Sequence, residues 1–392
     1  MKVMVVHARY RQRGGEDAAV DAEMALLAGD GHHVIPVLFD NREFAKVSSI
    51  GAATGTIWNS GAAQTVRDAI RENRPDVVHV HNTFPAASPA VFKAVGALPL
   101  VHTIHNYRWI CPAATLLRDG VPCRACVGRL PWRGVWHACY GGGRAASAVV
   151  ATALSLHRAM GTLNHVDRFI ALTDFARKTL VEGGLAAERI VIKPNFTARG
   201  QSPNTGGRES YVLFVGRLSE EKGIAVLAEA WRRHADLPPL EVVGDGPMRQ
   251  LLEGVPNVRL LGVASPDAVR RRMELARLLV VPSIWYEGLP LVVVEAYAAG
   301  LPIIGSDLGG LTELIHDGET GWLVPPGEPD ALASAIRRGI DPLVWSAMSR
   351  AAHARYLAQY TPEANLAMLL EIYAEAAKAA QVRAEVQQAP GS

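Results

Sequence analysis

Two glutamates separated by seven residues, Glu287 and Glu295, bracket the run Glu-Gly-Leu-Pro-Leu-Val-Val-Val-Glu just after an apolar segment ending in Pro282-Ser283. Pro290 suits the first turn of a helix. That places Glu287 in the loop at the positive end of the helix and Glu295 about two turns further on, facing inward among Val, Ala and Tyr. A carboxylate with apolar neighbours needs hydrogen-bond donors, and ribose hydroxyls would serve. The competing reading is structural: helix-end electrostatics for Glu287 and an ion pair for Glu295.

Gly216-Arg217-Leu218-Ser219-Glu220-Glu221-Lys222-Gly223 follows a strand-like run and opens a helix. Backbone N–H groups at such a turn face an anion. Arg217 can grip a phosphate bidentately, and Lys222 adds a compact point charge. A solvated helix-entry loop is the alternative. Gly244-Asp245-Gly246 is a weaker loop signal of the same kind.

All four cysteines, Cys111, Cys123, Cys126 and Cys139, fall within residues 111–139 in the pattern C-x11-C-x2-C-x12-C. The central C-x2-C pair puts two thiolates on one tight turn, and the outer two could close a tetrahedral, structural zinc site. Four unligated cysteines packed as small apolar residues are the other reading.

The elements that would carry these residues alternate. KVMVVHA reads as a strand, Arg13-Gly14-Gly15-Glu16 as a loop, and the next segment as a helix with Ala19, Val20, Met24 and Leu27 on one face. HHVIPVLF, DVVHVH, LPLVHTIH, DRFIALT and RIVIKPN are further strand candidates, interleaved with SPAVFKAVGA and DFARKTLVEGG. The pattern restarts with YVLFVGRL, LEVVGDG, NVRLLGV, RLLVVPSI and LPIIGSD, and such alternation implies largely parallel sheets. The expected layout is a Rossmann-like domain over 1–196 with a Cys-rich insertion at 106–143, and a polar linker at 197–209. A second Rossmann-like domain over 210–341, helices over 342–379 that brace the two domains, and a disordered tail at 380–392 complete it.

These motifs resemble glycosyltransferase family 4, retaining enzymes of the α/β GT-B fold with two facing Rossmann-like domains. EGLPLVVVEAYAAGLPII, with GRLSEEKG upstream and Gly-Gly-Leu-Thr-Glu-Leu-Ile plus GETGWLVPPG downstream, carries the resemblance. It implies that Glu295 holds the donor ribose, Glu287 contacts the sugar hydroxyls, and Arg217 with Lys222 neutralises the diphosphate. Gly216, Gly244, Pro290 and the backbone N–H groups near Leu289 and Leu291 would complete the donor cradle. In the N-terminal domain, Gly14 and Gly15 match the Gly-Gly loop that lets the first helix approach a substrate phosphate. His105 matches the histidine that reaches toward the transferred sugar or the acceptor; His79, His81 and His102 are secondary candidates. Without an Asp-x-Asp motif, no divalent ion bridging the diphosphate is implied. The implied reaction is a same-face displacement moving a hexosyl unit from a UDP- or GDP-sugar to a glycan or lipid-linked acceptor, in surface-polysaccharide synthesis. Catalysis would need no cofactor.

At 392 residues with 49% hydrophobic and 20% charged content, the chain exceeds what one core usually supports. Residues 1–200 hold 23 Lys+Arg against 15 Asp+Glu, leaving 17 against 23 for the rest, so the halves differ in sign. A basic first half favours an anionic partner such as a membrane surface or phosphorylated acceptor; scattered solvated arginines are the alternative. Nucleic acid is not an expected partner. The opening strand is followed at once by His7, Arg9, Arg11 and Arg13, which leaves no signal-peptide core, and no bilayer span is evident. The expectation is a cytoplasmic protein, with peripheral contact at the inner membrane face as a variant if Ala145–Leu156 lies on lipid rather than in the core. Rival functions are a nucleotide-sugar epimerase of the same fold and a non-catalytic sugar-nucleotide-binding module.

Overall fold

The structure, a computed structural model, describes residues 1–198 and 208–388, so the expected linker falls largely outside the described residues. The chain divides into two units. Met1–Thr115, Arg124–Lys193 and the C-terminal segment from Leu366 form the first; Leu116–Cys123 and Pro194–Asn365 form the second.

In the first unit β1 (Lys2–Arg9), β2 (His33–Asp40), β3 (Val77–Val80) and β4 (Leu100–Ile104) come from the apolar runs of the sequence. A two-residue hairpin of β5 (Leu117–Arg118) and β6 (Val121–Pro122) clusters with the second unit, and the first unit resumes with β7 (Arg168–Ala171) and β8 (Ile190–Ile192). Its parallel sheet has the order β2-β1-β3-β4-β7-β8. The second unit repeats the theme with β9 (Val212–Val215), β10 (Leu240–Val243), β11 (Val258–Gly262), β12 (Leu278–Val281), β13 (Ile303–Ser306) and β14 (Gly321–Val324). Its order is β11-β10-β9-β12-β13-β14, again all parallel. Both units are therefore Rossmann-like. Strand β14 lies in the segment read from sequence only as the GETGWLVPPG motif. A Cβ on Gly321 would sit 1.8 Å from the carbonyl oxygen of Ile303, so glycine is what lets this strand pair with β13.

The sheet order locates the binding edge. Ligands of open parallel sheets sit at the carboxyl ends of the strands where the order reverses. That point lies between β1 and β3 in the first unit and between β9 and β12 in the second. The loops leaving β9 and β12 are those of GRLSEEKG and of Glu-x7-Glu.

One expectation needs correction. The segment expected to be disordered from residue 380 is helical as far as Gln388, within one helix running from Pro362. It holds because Leu369, Tyr373, Ala376 and Ala380 are buried in the first unit, and Arg383 pairs with Asp167 at 3.1 Å. Of the helices expected to brace the domains, Pro342–Gln359 clusters with the second unit and the last helix with the first from Leu366 onward. The apolar Ala145–Leu156 segment lies in the helix Arg144–Ala159, which buries Val150, Ala151, Ala153 and Leu154 and so serves as a core helix. Among the described residues no helix is long and apolar enough to cross a membrane.

Candidate functional site

The strongest constellation of the second unit lies at its switch point. Lys222 Nζ donates to Glu287 Oε1 at 2.7 Å, and Ser283 Oγ donates to the same oxygen at 2.7 Å. The Lys222 ammonium also lies 5.4 Å from the centre of the Trp285 ring. Glu287 is 3% exposed, so its charge is tolerated only because both donors reach it. Sequence reading named Lys222 and Glu287 but missed Ser283 and Trp285; both lie in the loop after β12, which was treated only as the lead-in to Glu287.

Glycines hold the loops together. Gly223 has φ +71°, and a Cβ there would lie 1.8 Å from the carbonyl oxygen of Pro282. The backbone after β9 thus rests directly on the backbone after β12. Gly244 does the same on the other side, where a Cβ would lie 1.9 Å from the Gly216 oxygen. The weak Gly-Asp-Gly signal marks this close approach of two chains.

Beyond Glu287 the chain enters the helix Leu291–Ala298 with Pro290 as its N-cap, one position earlier than expected. Glu295 accordingly lies in the second turn of that helix. Burial pushes its carboxyl above the ordinary glutamate range, and no side-chain hydrogen bond satisfies it among the described residues. The N–H groups of Leu289 and Leu291 likewise have no backbone acceptor among the described residues. Arg217 is exposed and makes no ion pair among the described residues. One edge therefore offers an exposed guanidinium, an ammonium, open N–H groups at a helix start, and a carboxylate lacking donors. Chemically it can hold a phosphate beside a group rich in hydroxyls.

The first unit gathers a different set. Gly14 caps the helix Gly15–Gly29 and donates its N–H to Asp17 Oδ2 at 3.2 Å. A Cβ on Gly14 would meet nothing within 4 Å, so no neighbouring chain demands a glycine there. His105 lines a concavity with Glu16, His81, Asn82, Arg108 and Trp109. Its Nε2 lies 3.0 Å from His81 Nδ1, and burial, then the neighbouring His81, holds its pKa well below the usual histidine value. Glu16 accepts from the Tyr10 hydroxyl at 2.8 Å, and burial pushes its carboxyl up. His102 is sequestered: its Nδ1 meets the Val80 oxygen at 2.9 Å and its Nε2 accepts from Trp109, while burial takes its pKa to about 4.

Behind His105 lies a buried network that sequence reading did not assemble. Glu23 meets Lys193 Nζ at 3.0 Å through Oε2, and His79 Nδ1 at 3.1 Å and His81 Nε2 at 3.4 Å through Oε1. His79 also bonds the Tyr373 hydroxyl at 2.9 Å and Thr103 at 2.7 Å. The two-residue spacing of His79 and His81 on a strand was the available signal, since it sets both on one face. Glu23, His79 and His81 are the one set of three potential metal ligands gathered among the described residues. Lys193 already supplies the cation that this buried carboxylate requires.

The cysteines form no such group among the described residues. They are free of disulfides, with Cys111 buried and the others half-buried. The x11 stretch between Cys111 and Cys123 carries the hairpin of β5 and β6.

Comparison with known proteins agrees with this geometry. Residues 26–198 match the Glycosyltransferase Family 4 model and residues 209–341 match Glycosyl transferases group 1. Each unit thus carries a match to a glycosyltransferase domain model. It is 35% identical over 179 residues to a phosphatidyl-myo-inositol mannosyltransferase of Mycobacterium leprae, covering 43% of this chain and 48% of that protein. With a glycogen synthase of Mycobacterium tuberculosis it shares 29% identity over 321 residues, 77% of this chain and 69% of the relative. The chain spans less than half the length of the first curated relatives it matches. The crystal structure of Anabaena HepE in complex with UDP superposes with a TM-score of 0.66 at 18% identity, covering 95% of this chain and 99% of that one, which establishes the GT-B fold.

Proposed function

We propose that this protein is a retaining glycosyltransferase that moves a hexosyl unit from a nucleoside-diphosphate sugar to a glycan or lipid-linked acceptor in surface-polysaccharide synthesis. The observation that carries it is the switch-point edge of the second unit, where Lys222, Arg217 and the open N–H groups of Leu289 and Leu291 stand beside Glu287 and Glu295. In this reading the cations and N–H groups take the diphosphate and stabilise its growing charge as it leaves. Glu295 accepts from the ribose hydroxyls and Glu287 from the sugar. The first unit takes the acceptor around His105 and Glu16, and Gly14 and Gly15 leave room at the helix start for a substrate phosphate. Retention, by same-face displacement, rests on the family-4 resemblance.

The test is thermal stabilisation by UDP-, GDP-, ADP- and dTDP-sugars on the parent and on Glu295→Ala. One donor is expected to stabilise the parent and to lose its effect in the variant. Because burial raises the Glu295 carboxyl, donor affinity should also weaken on acidification while the pH is still above the ordinary glutamate range. Stabilisation without turnover would instead favour a sugar-nucleotide-binding module. No shift with any donor would remove the reading.

A structural zinc on Cys111, Cys123, Cys126 and Cys139 is supported by their spacing alone, and contact with the inner membrane face by the basic first half alone. Elemental analysis of the purified protein is expected to give one zinc per chain, lost in Cys123→Ser; a metal-free parent removes that proposal.

A further inference from the structure

The concavity around His105 can serve a hydroxyl-rich substrate only if the ring presents the right nitrogen in the right protonation state. Neutral imidazole has one donor and one acceptor nitrogen, and the partner of one nitrogen fixes the role of the other. Here His105 Nε2 faces His81 Nδ1 at 3.0 Å, and the two rings lie nearly parallel with centroids 5.3 Å apart. The far nitrogen of that second ring, His81 Nε2, is buried, and Glu23 Oε1 lies 3.4 Å from it. His105 Nδ1 has no protein partner among the described residues, and the ring lines the concavity.

We propose that Glu23 and His81 are positioning residues that set the tautomer of His105, so that its bare Nδ1 accepts a hydrogen bond from a substrate hydroxyl. This rests on the transferase reading. An anionic oxygen facing His81 Nε2 favours a proton there and opposes a lone pair. His81 Nδ1 is then bare and accepts from His105 Nε2–H, which leaves His105 Nδ1 as the acceptor. Glu23 can impose this order because Lys193 and His79 keep it ionised. His81, its pKa taken to about 3 chiefly by burial, passes on the polarity of the anion without becoming charged. His7, whose ring lies 6.2 Å edge-on from that of His81, is held on Asp17 at 2.8 Å and belongs to a separate pair.

Glu23→Gln tests the idea without changing size. Lys193 can only donate, so it holds the amide oxygen in the place of Oε2 and turns the NH2 toward His79 and His81. That reverses the polarity of the chain: His81 becomes protonated at Nδ1 and His105 at Nδ1. Nitrogen NMR of the His105 ring should show the Nε2–H form in the parent and the Nδ1–H form in Glu23→Gln. His81→Phe, which breaks the link, should give a mixture. Tyr373→Phe touches the network only at His79 and should leave His105 in the parental form. Transfer by Glu23→Gln, compared with the parent at matched folded fraction, should fall roughly 10- to 100-fold in kcat/KM, the cost of meeting a hydroxyl with a donor instead of an acceptor. A parental His105 tautomer in both folded variants overturns the proposal. The NMR readout needs no turnover, so a protein with no transfer activity would sink the transferase reading while leaving this relay to be judged on its own.

Discussion

Replacing Lys222 by methionine is expected to lower glycosyl transfer by roughly three orders of magnitude, the scale lost when one preorganised partner of a developing negative charge is removed. Two effects combine. The ammonium is the one cation of the switch-point edge held in place by the protein, bonded to Glu287 at 2.7 Å and lying over Trp285. Without it, Glu287 keeps only the Ser283 hydroxyl as a side-chain donor, so stability should also fall. Adding Glu287→Gln separates these effects: the double variant should recover thermal stability but not transfer. Arg217→Ala should cost less, because that exposed side chain has no partner fixing its geometry and loses more entropy on binding. Steady-state kinetics and melting curves on the four proteins check all of this; a Lys222→Met enzyme within tenfold of the parent would remove the proposed role.

The second large effect is on stability. Lys193→Met should destabilise the first unit by roughly 3–5 kcal/mol in urea unfolding, because it strands a buried carboxylate. Glu23 and Lys193 are only 8% and 3% exposed in their side chains. Burial alone would raise the Glu23 pKa, but Lys193, with help from His79, outweighs it and holds the carboxyl well below its usual range. A depressed carboxyl contributes stability above its unfolded value, ordinarily 4.5, and loses that contribution as pH falls through the folded value. The gap between parent and variant should therefore be full at neutral pH and close on acidification below 4.5. Glu23→Gln placed on Lys193→Met should recover part of the loss at neutral pH. An undiminished gap in acid would mean that the lysine acts by packing alone.

The switch-point edge of the second unit was legible because its residues lie in two short segments, each a strand followed by a turn. Lys222 and Glu287 carry their chemistry in sequences that announce loop and helix start, and the two-unit plan follows from restarting strand–helix alternation. The relay was not legible. Glu23 comes from the first helix, His81 from just beyond β3, His105 from just beyond β4, and Lys193 from just beyond β8; only the sheet order brings them together. The C-terminal helix misled for a related reason. Its polar, alanine-rich end reads as a tail, yet Ala380 is buried and Arg383 bonds Leu98 and Asp167, more than two hundred residues away in the sequence.

The sequence by itself determined the two parallel sheets, the glycine-bearing loops after β9 and β12 and the pair of glutamates, because these depend on local periodicity and on the conformational freedom of a few glycines. Tertiary structure alone decided which charges are paired, which carboxylate lacks donors and which histidines stack on one another. Those properties depend on burial and on distances between elements far apart in sequence, and Coulomb and desolvation energies follow spatial distance rather than chain spacing.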